Sequence, residues 1–315
     1  MTSRELLYIK TIADERSITK AAQKLYLTQP SLSHCVTNIE HQLGTKLFRR
    51  TSAGLQLTYA GERYYRMASE VLRVYAAFES EISEESELVR GRITLGITNY
   101  LATDLLPRVL PAFHREHPGI ELRVVEETTD QLERNLLSGR LDFAIMHTGA
   151  GDGASEDPGL SHEVISRDPF LIAAPPGTPY AEKAVRVDGR PYPELDPALL
   201  GDEPFLMVSR GQRIRHVTDR VLARAGVTPQ VVFTSRSYET LRRLAAEGMG
   251  YTFVPLQYVG IFGGEEYRPQ YFMIPERYGA YWELSVVTLK DAYLARAAKA
   301  FLACFREHAE KAYGL

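Results

Sequence analysis

The chain has 315 residues, 44% hydrophobic and 24% charged, with a formal net charge of −3. That balance excludes a mainly disordered, collagenous or fibrous chain, and at roughly 100–200 residues per domain it gives two or three domains. Two cysteines, Cys35 and Cys304, exclude a disulfide scaffold and a cysteine-rich zinc site.

Charges interrupt every apolar run of the N-terminus, and no later stretch approaches about 20 uninterrupted apolar residues. Neither a secretory leader nor a membrane span is expected, and the location expected is the cytoplasm. Charge is uneven along the chain. Up to residue 58, Arg4, Lys10, Arg16, Lys20, Lys24, Lys46, Arg49 and Arg50 outnumber Glu5, Asp14, Glu15 and Glu40. Over 59–89 the balance reverses, with seven glutamates against Arg63, Arg66 and Arg73. A small basic module on an acidic protein suggests a local contact with a polyanion.

Three short helices are predicted in the first 58 residues. Leu6, Leu7, Ile9, Ile12 and Ala13 fall at helical spacing after Ser3, a candidate N-cap. Ser17 caps a second helix over 18–25, whose Ala21 and Ala22 permit close approach. After a Tyr26–Leu27 turn, Thr28 caps a third that ends at Gly44, with Pro30 in its first turn. Leu32, Val36, Ile39 and Leu43 form its apolar face. Gln29, Ser31, Ser33, His34, Thr37 and Asn38 lie on the polar side. Two tight helices, the second polar at its exposed start, make a helix-turn-helix. Glutamine and asparagine hydrogen-bond adenine edges, hydroxyls contact bases or phosphates, and a helix N-terminus attracts phosphate. LFRRTSAGLQLT then reads as two short strands around Ala53–Gly54. This is a wing that brings Arg49, Arg50 and Thr51 to the DNA backbone.

The segment SITKAAQKLYLTQPSLSHCVTNIEHQLGTKLFRRTSAGLQLTYAGE resembles the winged helix-turn-helix of the LysR-type transcriptional regulators. The resemblance rests on Ala21–Ala22, Leu25, Thr28–Gln29–Pro30–Ser31, Ser33, Ile39–Glu40, Leu43–Gly44, Leu47–Phe48, Arg50–Thr51, Leu57–Thr58 and Gly61–Glu62. It implies a non-enzymatic regulator that binds a double-stranded DNA operator as a homodimer or homotetramer. It also implies a small-molecule effector and, in an activator, contact with RNA polymerase. Two positions depart from the pattern: His34 stands where members commonly carry arginine, and Cys35 where they carry a polar residue such as glutamine.

Thr58 caps a long helix predicted to reach Val89. Ala60, Tyr64, Met67, Val71, Val74 and Phe78 repeat at four and three, a heptad seam suited to pairing with a second copy. From Gly91 the pattern changes. RITLGI, a helix through Leu105–Phe113, IELRVVE, the helix TDQLERNLLSGR and LDFAIM read as β-α-β-α-β, which implies a parallel sheet. FLIAA, PFLMV, a helix over 214–225, VVFTS, a helix over 238–247 and GYTFVP form a second set. The strand YWELSVVTL and a helix over 292–309 close the chain. The predicted fold is therefore α/β: a winged helix-turn-helix over 1–58, a linker helix over 59–89, and a two-lobed effector domain over 90–315 resembling the periplasmic-binding-protein fold. Its lobes are expected at about 91–162 with 268–315, and at about 163–267.

Ligands of such folds bind at the carboxyl ends of strands, against helix starts. That position selects Thr98 and Asn99, Thr128 and Thr129, Met146 and His147, Ser209 and Arg210, and Ser235 and Tyr238. Among them the resemblance points to Thr98, Thr129 and Ser235 as effector contacts. Hydroxyls and free N–H groups suit a carboxylate or other small anion, while each residue taken singly also reads as an N-cap. The glycines of GAGDGAS precede no apolar helical run, so no nucleotide loop is expected. No metal-ligand spacing, nucleophile setting or cofactor motif is present in the sequence, and Trp282 is read as core. The reading that competes is a cytoplasmic solute-binding or enzymatic α/β protein with an accessory helical head.

Overall fold

A computed structural model describes residues 2–51, 54–82, 91–149, 157–260 and 267–313. Helices α1 (Ser3–Glu15), α2 (Ile18–Lys24) and α3 (Gln29–Leu43) and the antiparallel pair β1 (Phe48–Thr51) and β2 (Gly54–Leu57) build the head. Leu6, Ile9 and Ile12 of α1 close on Ala21 and Ala22 of α2 and on Leu32, Val36 and Ile39 of α3. Thr2 rather than Ser3 caps α1, because Thr2 and Glu5 satisfy each other's backbone N–H in a capping box. Thr28 accepts the Ser31 N–H, and left-handed Gly44 ends α3. Buried Glu40 accepts the backbone N–H groups of Leu47 (2.8 Å) and Phe48 (3.3 Å) and the Lys46 ammonium (2.7 Å). One carboxylate thus fixes where the wing leaves α3.

Helix α4 (Tyr59–Ile82) starts on Thr58, whose hydroxyl accepts the Gly61 N–H at 3.0 Å. The seam read from the sequence is divided. Ala60, Tyr64 and Met67 pack on the head core, whereas Val71, Val74 and Phe78, with Tyr75, are exposed. The expected continuation to Val89 lies outside the described residues, as do Gly151 and Gly153.

Beyond α4, β3 (Gly91–Ile97), α5 (Asn99–Glu116), β4 (Ile120–Glu126), α6 (Thr129–Leu137) and β5 (Phe143–Thr148) form the expected parallel unit, with β3 between β4 and β5. The strand expected over FLIAA is the end of a 15-residue strand, β6 (Leu160–Ala174). The second lobe adds β7 (Pro204–Val208), α7 (Arg213–Arg224), β8 (Gln230–Ser235), α8 (Tyr238–Ala246), β9 (Thr252–Pro255) and β10 (Gln270–Met273). Strand β11 (Tyr281–Leu289) returns to the first lobe, and α9 (Arg296–Tyr313) covers it. From Leu160 to Pro169, β6 pairs with β11; from Phe170 to Ala174 it lies between β9 and β10.

The two largest cores lie one in each lobe. One joins Ile93, Leu95, Val109 and Phe143 to Phe301 and Phe305; the other joins Phe170, Phe205, Leu241 and Phe253. The return to the first lobe falls at 281, not near 268. Met273 pairs with Leu171, and Ile274, Tyr278 and Ala280 fill the second core.

The head rests on the first lobe through α4. Tyr65 is fully buried, and its hydroxyl donates to Asp14 Oδ1 at 2.5 Å while the Arg140 guanidinium stands 5.6 Å from its ring. A methyl on Gly139 would lie 2.9 Å from Ser69 Cβ, so the end of α6 touches α4 directly.

Gly61 sets the approach of α4 to the wing, since a Cβ there would stand 2.0 Å from the Leu47 carbonyl oxygen. Backbone cannot yield as a side chain does, so Gly61→Ala is expected to destabilise the head by about 1–3 kcal/mol. Urea denaturation checks this, and an unchanged midpoint contradicts it.

Candidate DNA interface and effector cleft

On α3, Gln29, Pro30, Ser31, His34 and Thr37 are exposed and Ser33 is half-buried. Several of these groups have local partners. Ser31 Oγ lies 2.8 Å from the capping Thr28 hydroxyl, Thr37 donates to the Ser33 carbonyl (3.1 Å), and Asn38 Nδ2 lies 3.2 Å from His34 Nδ1. On the wing, Arg49 and Arg50 are exposed, and as neighbours in a strand they point to opposite faces. Arg49 donates to Gln56 Oε1 at 3.3 Å across the hairpin, and Thr51 to the Gly54 carbonyl at 2.9 Å. Sequence reasoning passed over Tyr26. It is 96% exposed in the turn between α2 and α3, at a positive φ of 56° that its residue type does not signal.

In the larger domain, α5 and α8 begin opposite one another across the two lobes. Tyr100, on the first turn of α5, donates its hydroxyl to Ser237 Oγ at 3.2 Å. Its ring centroid lies 4.1 Å from that of Tyr238 and 6.2 Å from that of Tyr258. Thr98 and Thr128 occupy the N-cap positions of α5 and α6 without a side-chain capping bond, and Thr129 is buried behind Thr128. Asn99 Nδ2 donates to Glu126 Oε2 at 2.8 Å. On the second lobe the Ser209 N–H donates to the Ser235 carbonyl (2.8 Å), and Ser235 Oγ accepts the Ser237 N–H (3.1 Å). Ser209 and Arg210 do not open a helix, because α7 starts at Arg213 with Gln212 as its N-cap; Arg210 itself is exposed.

Two of the selected residues sit elsewhere than expected. Met146 lies wholly inside the core of Leu132, Leu136, Leu141 and Val287 and offers nothing to the cleft. His147 is buried where the lobes join rather than poised at a cleft mouth. Its Nε2 lies 2.8 Å from Asp168 Oδ2, its ring stacks on Trp282 at 3.9 Å, and Tyr258 Oη lies 3.4 Å from Nδ1. Ser166 Oγ donates to the other Asp168 oxygen at 2.8 Å.

A second contact across the lobes went unnoticed in the sequence: Arg213 Nη2 of α7 donates to Glu133 Oε1 of α6 at 2.5 Å. Burial pushes the Glu133 carboxyl above its ordinary value, although Arg213 acts in the opposite direction. Burial likewise raises the thiols of Cys35 and Cys304, away from reactive thiolate.

A basic, winged helical head joined to a two-lobed α/β domain is the architecture of a DNA-binding protein that carries an effector-binding domain. Residues 3–62 match the family described as "Bacterial regulatory helix-turn-helix protein, lysR family", and residues 86–310 match the "LysR substrate binding domain". The chain belongs to the LysR family of transcriptional regulators, which are not enzymes. It is 26% identical over 322 residues to the uncharacterized HTH-type regulator YcgK of Bacillus subtilis, covering 99% of this chain and 96% of the relative. It is 29% identical over 255 residues to the DNA-binding transcriptional dual regulator OxyR of Escherichia coli, covering 81% and 79% respectively. The fold matches a full-length OxyR point variant of Pseudomonas aeruginosa with a TM-score of 0.76 at 24% identity, covering 98% of this chain and 95% of that one. Among the described residues no helix is long and apolar enough to cross a membrane.

The Glu133 shift has a sign that can be tested. A carboxyl raised on folding binds more protons in the native than in the unfolded state above about pH 4.3. Its contribution to stability is therefore present at low pH and lost as pH rises through the raised value. The stability of the wild type relative to Glu133→Gln should fall as pH rises from about 4 through the raised value. Thermal denaturation of both proteins across that range checks the slope, and a rise contradicts it.

Proposed function

We propose that this LysR-family regulator reads DNA with α3 and the wing, and that a small anion in the cleft between the lobes modulates it. The observation that carries the effector reading is the pair of N-cap hydroxyls, Thr98 and Thr128, that cap nothing. They stand at helix starts, where free N–H groups and the helix dipole favour negative charge. Ser209 and Ser235 on the second lobe and Thr129 on the first supply further polar groups. A ligand that bridges the lobes shifts the protein only by binding one lobe arrangement better than another.

The head acts in pairs. Exposed Val71, Val74, Tyr75 and Phe78 on α4 form an apolar stripe that a second copy of the helix covers, placing two heads on one operator. A homotetramer joins two such dimers, it works in the cytoplasm where the DNA lies, and an activator of this kind meets RNA polymerase. Several relatives are named as hydrogen peroxide-inducible genes activators. Here the two cysteines lie in α3 and α9 with their thiols pushed up by burial, which favours a bound ligand over thiol oxidation as the signal.

For DNA, Arg50→Ala is expected to weaken binding to all sequences and lower the salt slope by about one. Gln29→Ala should cost about 1–3 kcal/mol on an operator selected from a random duplex library and relax one base position. Equal losses on operator and random duplex refute the Gln29 assignment. For the effector, a thermal-shift panel of carboxylates against the full chain should give at least one hit. A ligand at a hundred times its Kd adds about 2.7 kcal/mol of stability. A hit that survives Thr98→Val unchanged removes the cleft assignment.

A further inference from the structure

The cleft is polar at its helix starts, but the second lobe meets the first with aromatic faces. The Tyr238 and Tyr258 rings lie nearly parallel, at 11° and 5.0 Å. Tyr258 stands edge-on to Trp282 (75°, 6.0 Å) and to His147 (87°, 6.0 Å). Against this group the first lobe places the ring of Tyr100. That residue is only half-buried, its ring is tilted 48° to Tyr238, and its hydroxyl donates to Ser237 Oγ. Parallel faces on one side and a tilted, half-exposed ring on the other suit a slot for a flat group that Tyr100 fills incompletely.

Two donors in the same group lack acceptors. Tyr238 is 3% and Trp282 5% exposed, yet among the described residues neither the Tyr238 hydroxyl nor Trp282 Nε1–H has a hydrogen-bond partner. Burying such donors unpaired is costly, and most buried polar groups in proteins are paired. An indole N–H only donates, so whatever satisfies Trp282 must bring an acceptor. Burial also holds the Tyr238 phenol far above its ordinary proton affinity, so it too remains a donor. The first turn of α5 carries no acidic residue to oppose an anion.

We propose that the effector is an aromatic carboxylate. Its ring displaces Tyr100 from the face of Tyr238, and its oxygens accept from the donors of this cluster and from the helix start at Thr98. This rests on the reading of the cleft as the effector site and adds the ligand's class. An aliphatic acid satisfies the donors but leaves the ring slot to Tyr100, and an amine satisfies neither donor.

Trp282 is the one tryptophan of the chain, so its emission in the full-length protein reports on this site alone. Benzoate, phenylacetate and nicotinate are titrated against cyclohexanecarboxylate, succinate and citrate. At least one aromatic acid should shift the emission saturably and bind about tenfold tighter than cyclohexanecarboxylate, which has similar size but no flat face. Tyr238→Phe should weaken that binding about tenfold through one lost donor. Tyr100→Ala should tighten it, because the resident ring no longer competes, and Tyr100→Phe should restore the wild-type value. A purely structural Tyr100 gives the opposite order.

Succinate, citrate or cyclohexanecarboxylate binding as tightly as the aromatic acids overturns the proposal and leaves the cleft reading standing. Emission unmoved by every acid, in the wild type and in Tyr100→Ala, also overturns it. The thermal-shift panel, which reads binding anywhere in the chain, then decides the cleft reading by itself.

Discussion

The relation between the lobes depends on the pairing of two strands that belong to both. Strand β6 lends its first ten residues to one lobe and its last five to the other, and β11 runs beside it. The register sets Trp282 against Asp168 and, on the other side of β11, Leu284 against His147. That register brings together His147, Asp168 and Trp282 from three strands. The Asp168 carboxylate is fully buried, and both of its oxygens are engaged, one by His147 and one by Ser166. Losing either partner leaves buried polar capacity unsatisfied, which costs more than the bond itself contributes. The pairing also shifts register between Leu284 and Ser285, the irregularity at which a strand pair bends most readily. The junction thus lies beside a local irregularity of the strand pairing.

From that junction two contacts reach across the cleft. Tyr100 meets Tyr238 and Ser237, and Glu133 meets Arg213. Glu133 lies on α6, a helix of nine residues and so about 13 Å long. Thr128 stands at the N-cap position of its cleft end, and its other end runs into Gly139 and Arg140, against Ser69 and Tyr65 of α4. Leu132 and Leu136 anchor it in the core, so it moves as a unit. Glu133 and the contact with the helix that holds the DNA-binding head thus lie at the same short, core-anchored element.

The head was largely legible because its information is local. Ser17, Thr28 and Gly44 mark helix ends through backbone groups a few residues away, and the spacing of Leu32, Val36 and Ile39 reports one face of one helix. Strand β6 was only half legible. Its first part, LSHEVISRDP, carries polar residues that one sheet face tolerates, so FLIAA alone reads as strand. Topology alone selected the strand-end positions; of these, Tyr238 meets the first lobe through Tyr100. Tyr100 and Arg213 were not legible. Each acts through a partner 137 or 80 residues away, and nothing in the residue's own neighbourhood marks that partner. Trp282 reads as core, and it is core; its unpaired N–H emerges only from the packing.

That packing bears on how large a signal the cleft must generate. Coupling between sites in switching proteins is typically about 1–3 kcal/mol. A hydrogen bond to a buried donor contributes about 1 kcal/mol net. If the proposed ligand pairs both donors, Tyr238 and Trp282, which have no partner among the described residues, the energy gained lies within that range. No covalent change is needed, in keeping with thiols that burial holds protonated. Those donors are the part of the energy that depends on the ligand, whereas exposed hydroxyls such as Thr128 pair with water in its absence. Polar groups at the helix starts can orient an anion, and under the proposal made above the buried aromatic cluster adds donors whose pairing depends on the ligand.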